Sequence, residues 1–302
     1  MSTTLLADVA NQVKTYWADT GLFMDQLLED SLLPSLVNKS YDGVLEKEGD
    51  RVRVSQINRP TAQRKTVGSA GYDSFVTEKL STSYVDVVAD QVISVAFEFD
   101  NLLDLQSQIK SDSSKIRQAM IDAMGIELNN YLYSKIAPSA SAPDHIVDGV
   151  TDFNATALGG VKKLASQAAW MRDEWYALLD PQYHLDFSNA TTMTSADYGA
   201  DDQPLIGGQF ARKRFGFNIL EDNSDGLISA MQRVDGSSTA TEDAGVFFHP
   251  DFLILVMPQM IEFKVADLTA NKQFGNVIVA KMVVGAALGV DGANKHILVY
   301  NT

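Results

Sequence analysis

Residues 114–136, SKIRQAMIDAMGIELNNYLYSKI, restrict the fold of this chain more than any other stretch. They contain no proline, and Pro138 closes them off, because proline cannot continue helical bonding and disfavours helix in the residue before it. Asp112, Ser113 and Ser114 offer oxygens to the free N–H groups at the start. The spacing predicts a helix of roughly 34 Å. On a wheel its apolar residues (Ile116, Ala119, Met120, Ile121, Ala123, Met124, Ile126, Leu128, Tyr131, Leu132, Ile136) cover well over half the circumference. The polar arc is narrow: Lys115, Gln118, Asp122, Asn129, Lys135. A helix on the surface of one domain needs a narrower stripe, so this helix is expected to be covered from more than one side. Glu127 falls inside the apolar arc, near Met120, Ala123 and Tyr131. A buried carboxylate needs a partner or a raised pKa, so a counter-charge or a backbone hydrogen bond is expected there, with a neighbouring subunit as one possible source.

The chain has 302 residues, enough for one large domain or two modest ones. Its net charge of −15 argues against a dedicated nucleic-acid binder, which needs clustered Lys and Arg, and against sustained attraction to anionic membranes. It has no cysteine, so disulfides, thiolate catalysis and Cys-based metal sites are excluded. The N-terminal residues show no cationic start followed by an apolar run, hence no secretory signal. Val277 to Val290, interrupted by Lys281, is too short to span a bilayer and is rich in β-branched residues, so it reads as a long strand.

Residues 1 to about 38 carry Leu5, Leu6, Val9, Val13 and Trp17, then Phe23, Leu27, Leu28, Leu32 and Leu33, at helical spacing. They form either terminal helices docked on their own domain or an arm laid on neighbours. RVRVSQI alternates, with Val52 and Val54 on one face and Arg51 and Arg53 on the other. A polar stretch too long for a hairpin turn follows, then a second β-rich run, TSYVDVVADQVISVAFEFD; together they read as two legs of a long excursion. Leu102 to Ile109 suggests a short helix. Asn154 can cap a helix through about Trp170, and WYALLDPQYHLDF reads as strand, turn and short helix. GGQFARKRFGFNIL gives a basic turn and a strand, with loops at DNSDG and DGSSTATEDAG. VFFHPDFLILVMPQMIEFKV reads as strand, brief helix and strand. Val277–Val290 and His296–Val299 are expected to form a hairpin across DGAN.

Signatures of catalysis are missing. His145, His184, His249 and His296 lie at no ligand spacing, and no HExxH, GxSxG, P-loop or post-strand GxGxxG occurs. Gly207-Gly208 and Gly159-Gly160 lack the spacing of a phosphate cradle. Glu221, Asn223, Asp225 and Gly226 resemble the start of a calcium loop, but the first position should be Asp and the twelfth is Gln232 rather than Glu; a plain acidic turn is the expectation. No catalytic residue, cofactor or metal is assigned. Two basic clusters, Arg59, Arg64, Lys65 and Arg212, Lys213, Arg214, are unusual in so acidic a chain; they are either a solvated charged face or a surface that pairs with acidic groups on another copy.

The order of these elements resembles the major capsid proteins of tailed double-stranded DNA phages, with the Hong Kong 97-type shell fold. The resemblance is carried by GDRVRV, the long polar loop, VDVVADQVISVAFEFDN leading into the long helix, WYALLDPQYHLDF, IGGQFARKRFGFNILEDNS, VFFHPDFLILVMPQ, and FGNVIVAKMVVGAALGV followed by HILVYN. It implies an α+β fold: an N-terminal arm (1–40), an extended β loop (41–90), a peripheral domain with a spine helix (91–153 and 270–302) and an axial domain (154–269). It implies a structural, non-enzymatic subunit that assembles as hexamers and pentamers into an icosahedral head in the host cytoplasm and ends in the virion. Implied partners are a separate scaffolding protein, a portal, optionally a decoration protein, and non-specifically packaged double-stranded DNA; no membrane is involved. The candidate inter-subunit contacts are Trp17, Phe23, Arg59, Arg64, Lys65, Tyr72, Phe75, Glu127, Arg212, Lys213 and Arg214. Deleting residues 1 to 38 is expected to leave a folded but assembly-defective subunit. The alternatives are an encapsulin-type compartment shell, with the same architecture around enzymes, and a soluble enzyme gathering Glu127 or a histidine in a deep pocket.

Overall fold

The computed structural model describes residues 32–41, 50–69, 74, 77–100, 113–171, 174–190, 213–232, 243–267 and 275–301. Three sheets and one long helix organise them. The helix α1 (Ser113–Ile136) matches the expected stretch within one residue and ends before Pro138, which opens a short turn of helix. Asp112 and the Ser113 and Ser114 side chains lie outside the described set. Met120, Met124, Leu128, Leu132 and Ile136 recur every four residues and are buried, one stripe on one helix face. Tyr133, fully buried, lies beside that stripe.

Two expectations for this helix need correction. Glu127 is exposed and Ala123 beside it is exposed too, so the chain covers less of the helix than its apolar arc suggested. Asn129, assigned to the polar arc, is 1% exposed. It lies one turn before Tyr133, on the face that meets α4 (Asp225–Gln232), and its Nδ2 donates to Ser224 Oγ at 3.0 Å. The wheel sorted residues by polarity, but a polar residue with a buried partner belongs inside.

The first sheet has the order β3 (Gln91–Asp100), β10 (Gly275–Leu288), β9 (Leu253–Asp267), all antiparallel. Ala280, Met282, Val284 and Ala286 of β10 alternate toward α1 and join one core with Ile93, Leu255 and Phe252. The opposite face, through Val283, Ile254 and Val256, packs on the base of a two-stranded hairpin, β1 (Arg51–Ile57) and β2 (Thr82–Val88). The end of the N-terminal segment docks here as well. Leu33 and Val37 are buried, Asn38 Nδ2 donates to Asp251 Oδ1 at 2.7 Å, and the Asn38 backbone brackets β9 through bonds to Leu253 and Leu255. For residues 32–41, docking on their own body is therefore the observed arrangement; Trp17 and Phe23 lie outside the described residues.

The second large sheet has six strands in the order β4 (His145–Val147), β11 (His296–Tyr300), β8 (Ala244–Phe248), β5 (Trp175–Leu179), β7 (Phe217–Glu221), β6 (Lys213–Arg214). Helices α2 (Ala155–Gln167) and α3 (Pro181–Asn189) cover one face. Asn154 caps α2 as expected, its Oδ1 accepting from Thr156 and Ala157 N–H. Phe153, Tyr183, Phe187, Phe217 and Phe247 fill this core, with the Phe217–Phe247 rings at 5.1 Å and nearly perpendicular, a favoured aromatic geometry.

The expected C-terminal hairpin does not form. Strands β10 and β11 lie in different sheets, and DGAN is passed by a 3-10 turn, Gly292–Lys295. Both runs are apolar enough for a central strand, and alternation could not say which sheet each completes. β9 pairs within the sheet of β3 and β10, whereas β11 and β4 pair within the six-stranded sheet. DNSDG also departs from a loop, since Asp225 opens α4.

Asp180 caps α3 by accepting from Gln182 and Tyr183 N–H, yet it is 2% exposed and lies near Asp243. Burial is the main cause that pushes its pKa up to about 6, helped by the Asp243 charge and opposed by the cap bonds. The folded state therefore holds this proton more tightly than the unfolded chain. Its stabilising effect is complete below pH ~4 and is lost as pH rises through about 6. Asp180→Asn keeps an equally good cap and removes the charge. The variant is expected to melt higher than the parent at pH 7.5, with the gain vanishing at pH 4; thermal melts across that range check it.

Candidate subunit-contact surfaces

The β1–β2 hairpin is built for something other than the chain's own core. Its base is held: Val52 and Val87 are buried, and Ala89 N–H bonds to Asp50 O at 3.1 Å. The alternation expected of RVRVSQI is present there, with Val52 and Val54 inward and Arg51 and Arg53 outward. Arg53 pairs with Asp86 directly across the ladder through Nε–Oδ1 at 2.7 Å and Nη2–Oδ2 at 2.8 Å, and stacks over Tyr84 at 4.2 Å. Those bonds hold the Asp86 carboxyl below the usual range. Beyond Val54 the picture reverses: every described residue from Ser55 to Thr82 is exposed. Ile57 is 64% exposed, Val67 87% and Leu80 77%. Among the described residues no third strand pairs with either edge of the hairpin, and exposed apolar side chains beside open strand edges make it a candidate binding surface.

Arg59, Arg64 and Lys65 all sit on this exposed segment. Lys65 folds back, its Nζ donating to Ser74 O and Oγ, while Glu78 accepts from Thr61 N–H at 2.9 Å. Tyr72 and Phe75 lie outside the described residues.

The second basic cluster lies at the free edge of the six-stranded sheet. β6 and β7 are joined by Phe215 and Gly216, with φ of +51° and +93°. This is the left-handed pair that a two-residue hairpin turn requires. Glycine takes it freely; a phenylalanine there costs about 1–3 kcal/mol and is nonetheless 49% exposed. Lys213 is exposed, and Arg214 is half-buried with its Nε lacking any acceptor. Arg212 lies outside the described residues. Behind the turn, Lys162 Nζ stacks over the Trp175 ring at 3.6 Å.

Glu127 lines a cleft of about 410 Å³ between α1 and α4, together with Asn130, Tyr131, Asp225 and Ser229. Under its floor runs a buried polar network. Tyr133 O–H donates to Asp222, whose Oδ1 accepts from Ser224 N–H at 2.9 Å, and Ser224 Oγ accepts from Asn129. Burial, with the Asp222 charge beside it, holds the Tyr133 phenol well above its usual pKa. This network ties α1 to the strand end of the six-stranded sheet. Sequence inspection missed it because Asn129 and Asp222 are far apart in the chain; only the proximity of Tyr133 to Asn129 at helical spacing hinted at a shared face. His249 and His296 are buried too. His249 caps the 3-10 turn Pro250–Phe252, and His296 Nδ1 bonds to Gly292 O at 2.7 Å, consistent with packed rather than chemical roles. Among the described residues, no group of three or more His, Asp or Glu could hold a metal.

No protein-family model matches the sequence, and no curated protein matches it. Solved structures do match. A structure from Mycobacterium phage Che8 superposes with a TM-score of 0.70 at 16% identity, covering 92% of this chain and 94% of the other. The capsid asymmetric unit of cyanophage Pam1 gives 0.70 at 12% identity, with 93% and 94% covered. The capsid of cyanophage P-SCSP1u gives 0.69 at 12% identity, with 94% and 91% covered. The chain has a tailed-phage capsid fold. Coverage above nine-tenths on both sides means that the match extends over most of each chain.

Proposed function

We propose that this protein is the major capsid protein of a tailed phage, a structural subunit that assembles as hexamers and pentamers into the icosahedral head around double-stranded DNA. The observation that carries it is the exposed hairpin on a capsid fold: from Ser55 to Thr82 no described residue finds cover in its own chain. In a shell, a neighbour supplies that cover. The structures to which this chain is similar are phage capsids or heads, and no observation favours an encapsulin compartment or an enzyme. A separate scaffolding protein, a portal and, as an option, a decoration protein are the further partners of this reading, with assembly in the host cytoplasm and residence in the virion. The contact residues Arg59, Arg64, Lys65, Glu127, Lys213 and Arg214, with Trp17, Phe23, Tyr72, Phe75 and Arg212, serve as interface candidates. DNA contact is sequence-independent and weak, as the net charge of −15 requires.

The test is direct. The chain, expressed with and without the rest of a head-assembly operon, is examined by electron microscopy and sedimentation. Closed shells or capsomer rings are expected. A protein that stays monomeric at every concentration and salt, with and without those partners, would sink the reading.

A further inference from the structure

Among the described residues, two carboxylates and two cations that take part in no ion pair face solvent at two separate places. Glu127 and Asp225 line the cleft between α1 and α4, and no basic residue lines it with them; Lys135 Nζ lies 5.1 Å over the ring of Tyr131, another lining residue. Lys213 and Arg214 sit at the β6–β7 turn, where no carboxylate of the described residues pairs with either; the Arg214 Nε is buried without an acceptor, which leaves the outer guanidinium nitrogens to meet a partner. The chain cannot join these pairs internally. The turn lies at the start of β7 and Asp225 follows its end. The five residues of β7 hold the two apart by roughly 17 Å at ~3.3 Å per residue.

We propose that the turn Lys213–Phe215 of one copy docks in the Glu127–Asp225 cleft of a second copy. The proposal rests on the shell reading and names one contact of it. The patch and its receptor are different surfaces, so the contact is heterologous, head to tail, and propagates until rotation closes a ring. Rings are what hexamers and pentamers are. The cation pair is short and set in an acidic chain, so an acidic protein surface fits it better than a phosphate backbone, which demands a longer basic stripe. The other basic cluster is a poorer occupant. Lys65 is committed to Ser74, and Arg59 and Arg64 lie on a segment outside any strand. Arg214 instead is fixed in a ladder with Phe217, and preorganised side chains lose less freedom on docking. Phe215, held exposed in a left-handed turn, supplies the apolar contact beside the charges; the cleft offers it Tyr131.

The absence of cysteine makes the test clean. Full-length protein carrying Glu127→Cys and Lys213→Cys is oxidised gently and run on a non-reducing gel. A ladder of cross-linked species ending at ring size is expected, with none from either single variant. Pairing Glu127→Cys with Arg64→Cys serves as the competing geometry, and a ladder there instead overturns the proposal. In parallel, Glu127→Lys with Asp225→Lys is expected to lower the assembled fraction roughly tenfold or more, and adding Lys213→Glu with Arg214→Glu to restore it. All four side chains are exposed or half-buried, and an unchanged thermal melt confirms folding. Shells from wild type, combined with no ladder and no charge-swap rescue, overturn the contact while leaving the shell reading intact. A wild type that stays monomeric with and without the head-assembly partners sinks that reading, and the ladder at high protein concentration still decides the contact. Loss of DNA retention in Lys213→Glu with Arg214→Glu, with cross-linking unchanged, would assign the turn to nucleic acid and overturn the proposal.

Discussion

Replacing Gly285 by valine is expected to detach the hairpin from the body of the subunit. β10 crosses the end of β2 at this residue, and a Cβ there would stand 2.1 Å from Val88 O, 2.7 Å from Val88 C and 2.8 Å from Ala89 Cα. All three are backbone atoms, so no rotamer change relieves the clash. Overpacking in a closed core costs about 1–3 kcal/mol, sometimes more, and here the strain has two outlets. Either β10 shifts against β9, where the ladder already has irregular register around Val283 and Gly285, or Val87 and Ala89 leave their buried seats. The second breaks fewer hydrogen bonds. Hydrogen exchange at residues 85–89 should therefore accelerate far more than at β5 or β8, with a melting temperature lowered by roughly 5 °C or more. Gly285→Ala should show the same pattern at smaller amplitude. Uniform acceleration across both large sheets would contradict this account of the hairpin's seat.

Asp222→Ala is expected to be the most damaging single change at the junction between α1 and the six-stranded sheet. Asp222 is 1% exposed and accepts from Tyr133 O–H and Ser224 N–H. Removing it takes the carboxylate acceptor from a fully buried phenol, which keeps only its contact with the Ser224 hydroxyl, in a network where Asn129 Oδ1 already lacks a partner. Hydrogen bonds to charged groups contribute about 1.5–3 kcal/mol and an orphaned buried donor costs about as much again, so a total of roughly 3 kcal/mol is expected. Tyr133→Phe alone should cost less, because Ser224 still serves Asp222. The double variant should be less destabilised than the sum of the two, since the phenylalanine removes that phenol. Denaturant unfolding of the four proteins measures that coupling. Strict additivity would mean that the two groups do not act as a unit.

How much of this was written legibly in the sequence depends on range. Local signals were clear: Asn154 as a cap, Pro138 as a stop, the DP pair opening α3, and the alternation of RVRVSQI all reappear in place. Partnership between distant strands was not. β9, β10 and β11 are each apolar enough to be central, and nothing within them states that β10 completes one sheet and β11 another. Glu127 shows the same limit from the other side. It falls in the apolar arc of the wheel, but an expectation of burial holds only if every apolar arc is covered within one chain. The structure leaves that sector open, as a cleft with a second carboxylate beside it. Asn129 was misplaced for the mirror reason, since its partner Ser224 comes from a segment that reads as a mobile turn.

The middle positions of β10 and β11 have a consequence for how the subunit is made. β10 lies between β3 and β9, and β11 lies between β4 and β8. In each sheet the strand that joins the two sides is the last of that sheet to leave the ribosome. During vectorial synthesis β3 and β4 therefore wait as unpaired edges, and neither core can close until residues 275–300 emerge. Long-range pairing of this kind is slow and exposes apolar surface in the meantime. The same order also acts as a safeguard: a truncated or half-made chain lacks the keystone of both sheets, so it cannot present a finished surface to other subunits and enter an assembly that later has to be sound.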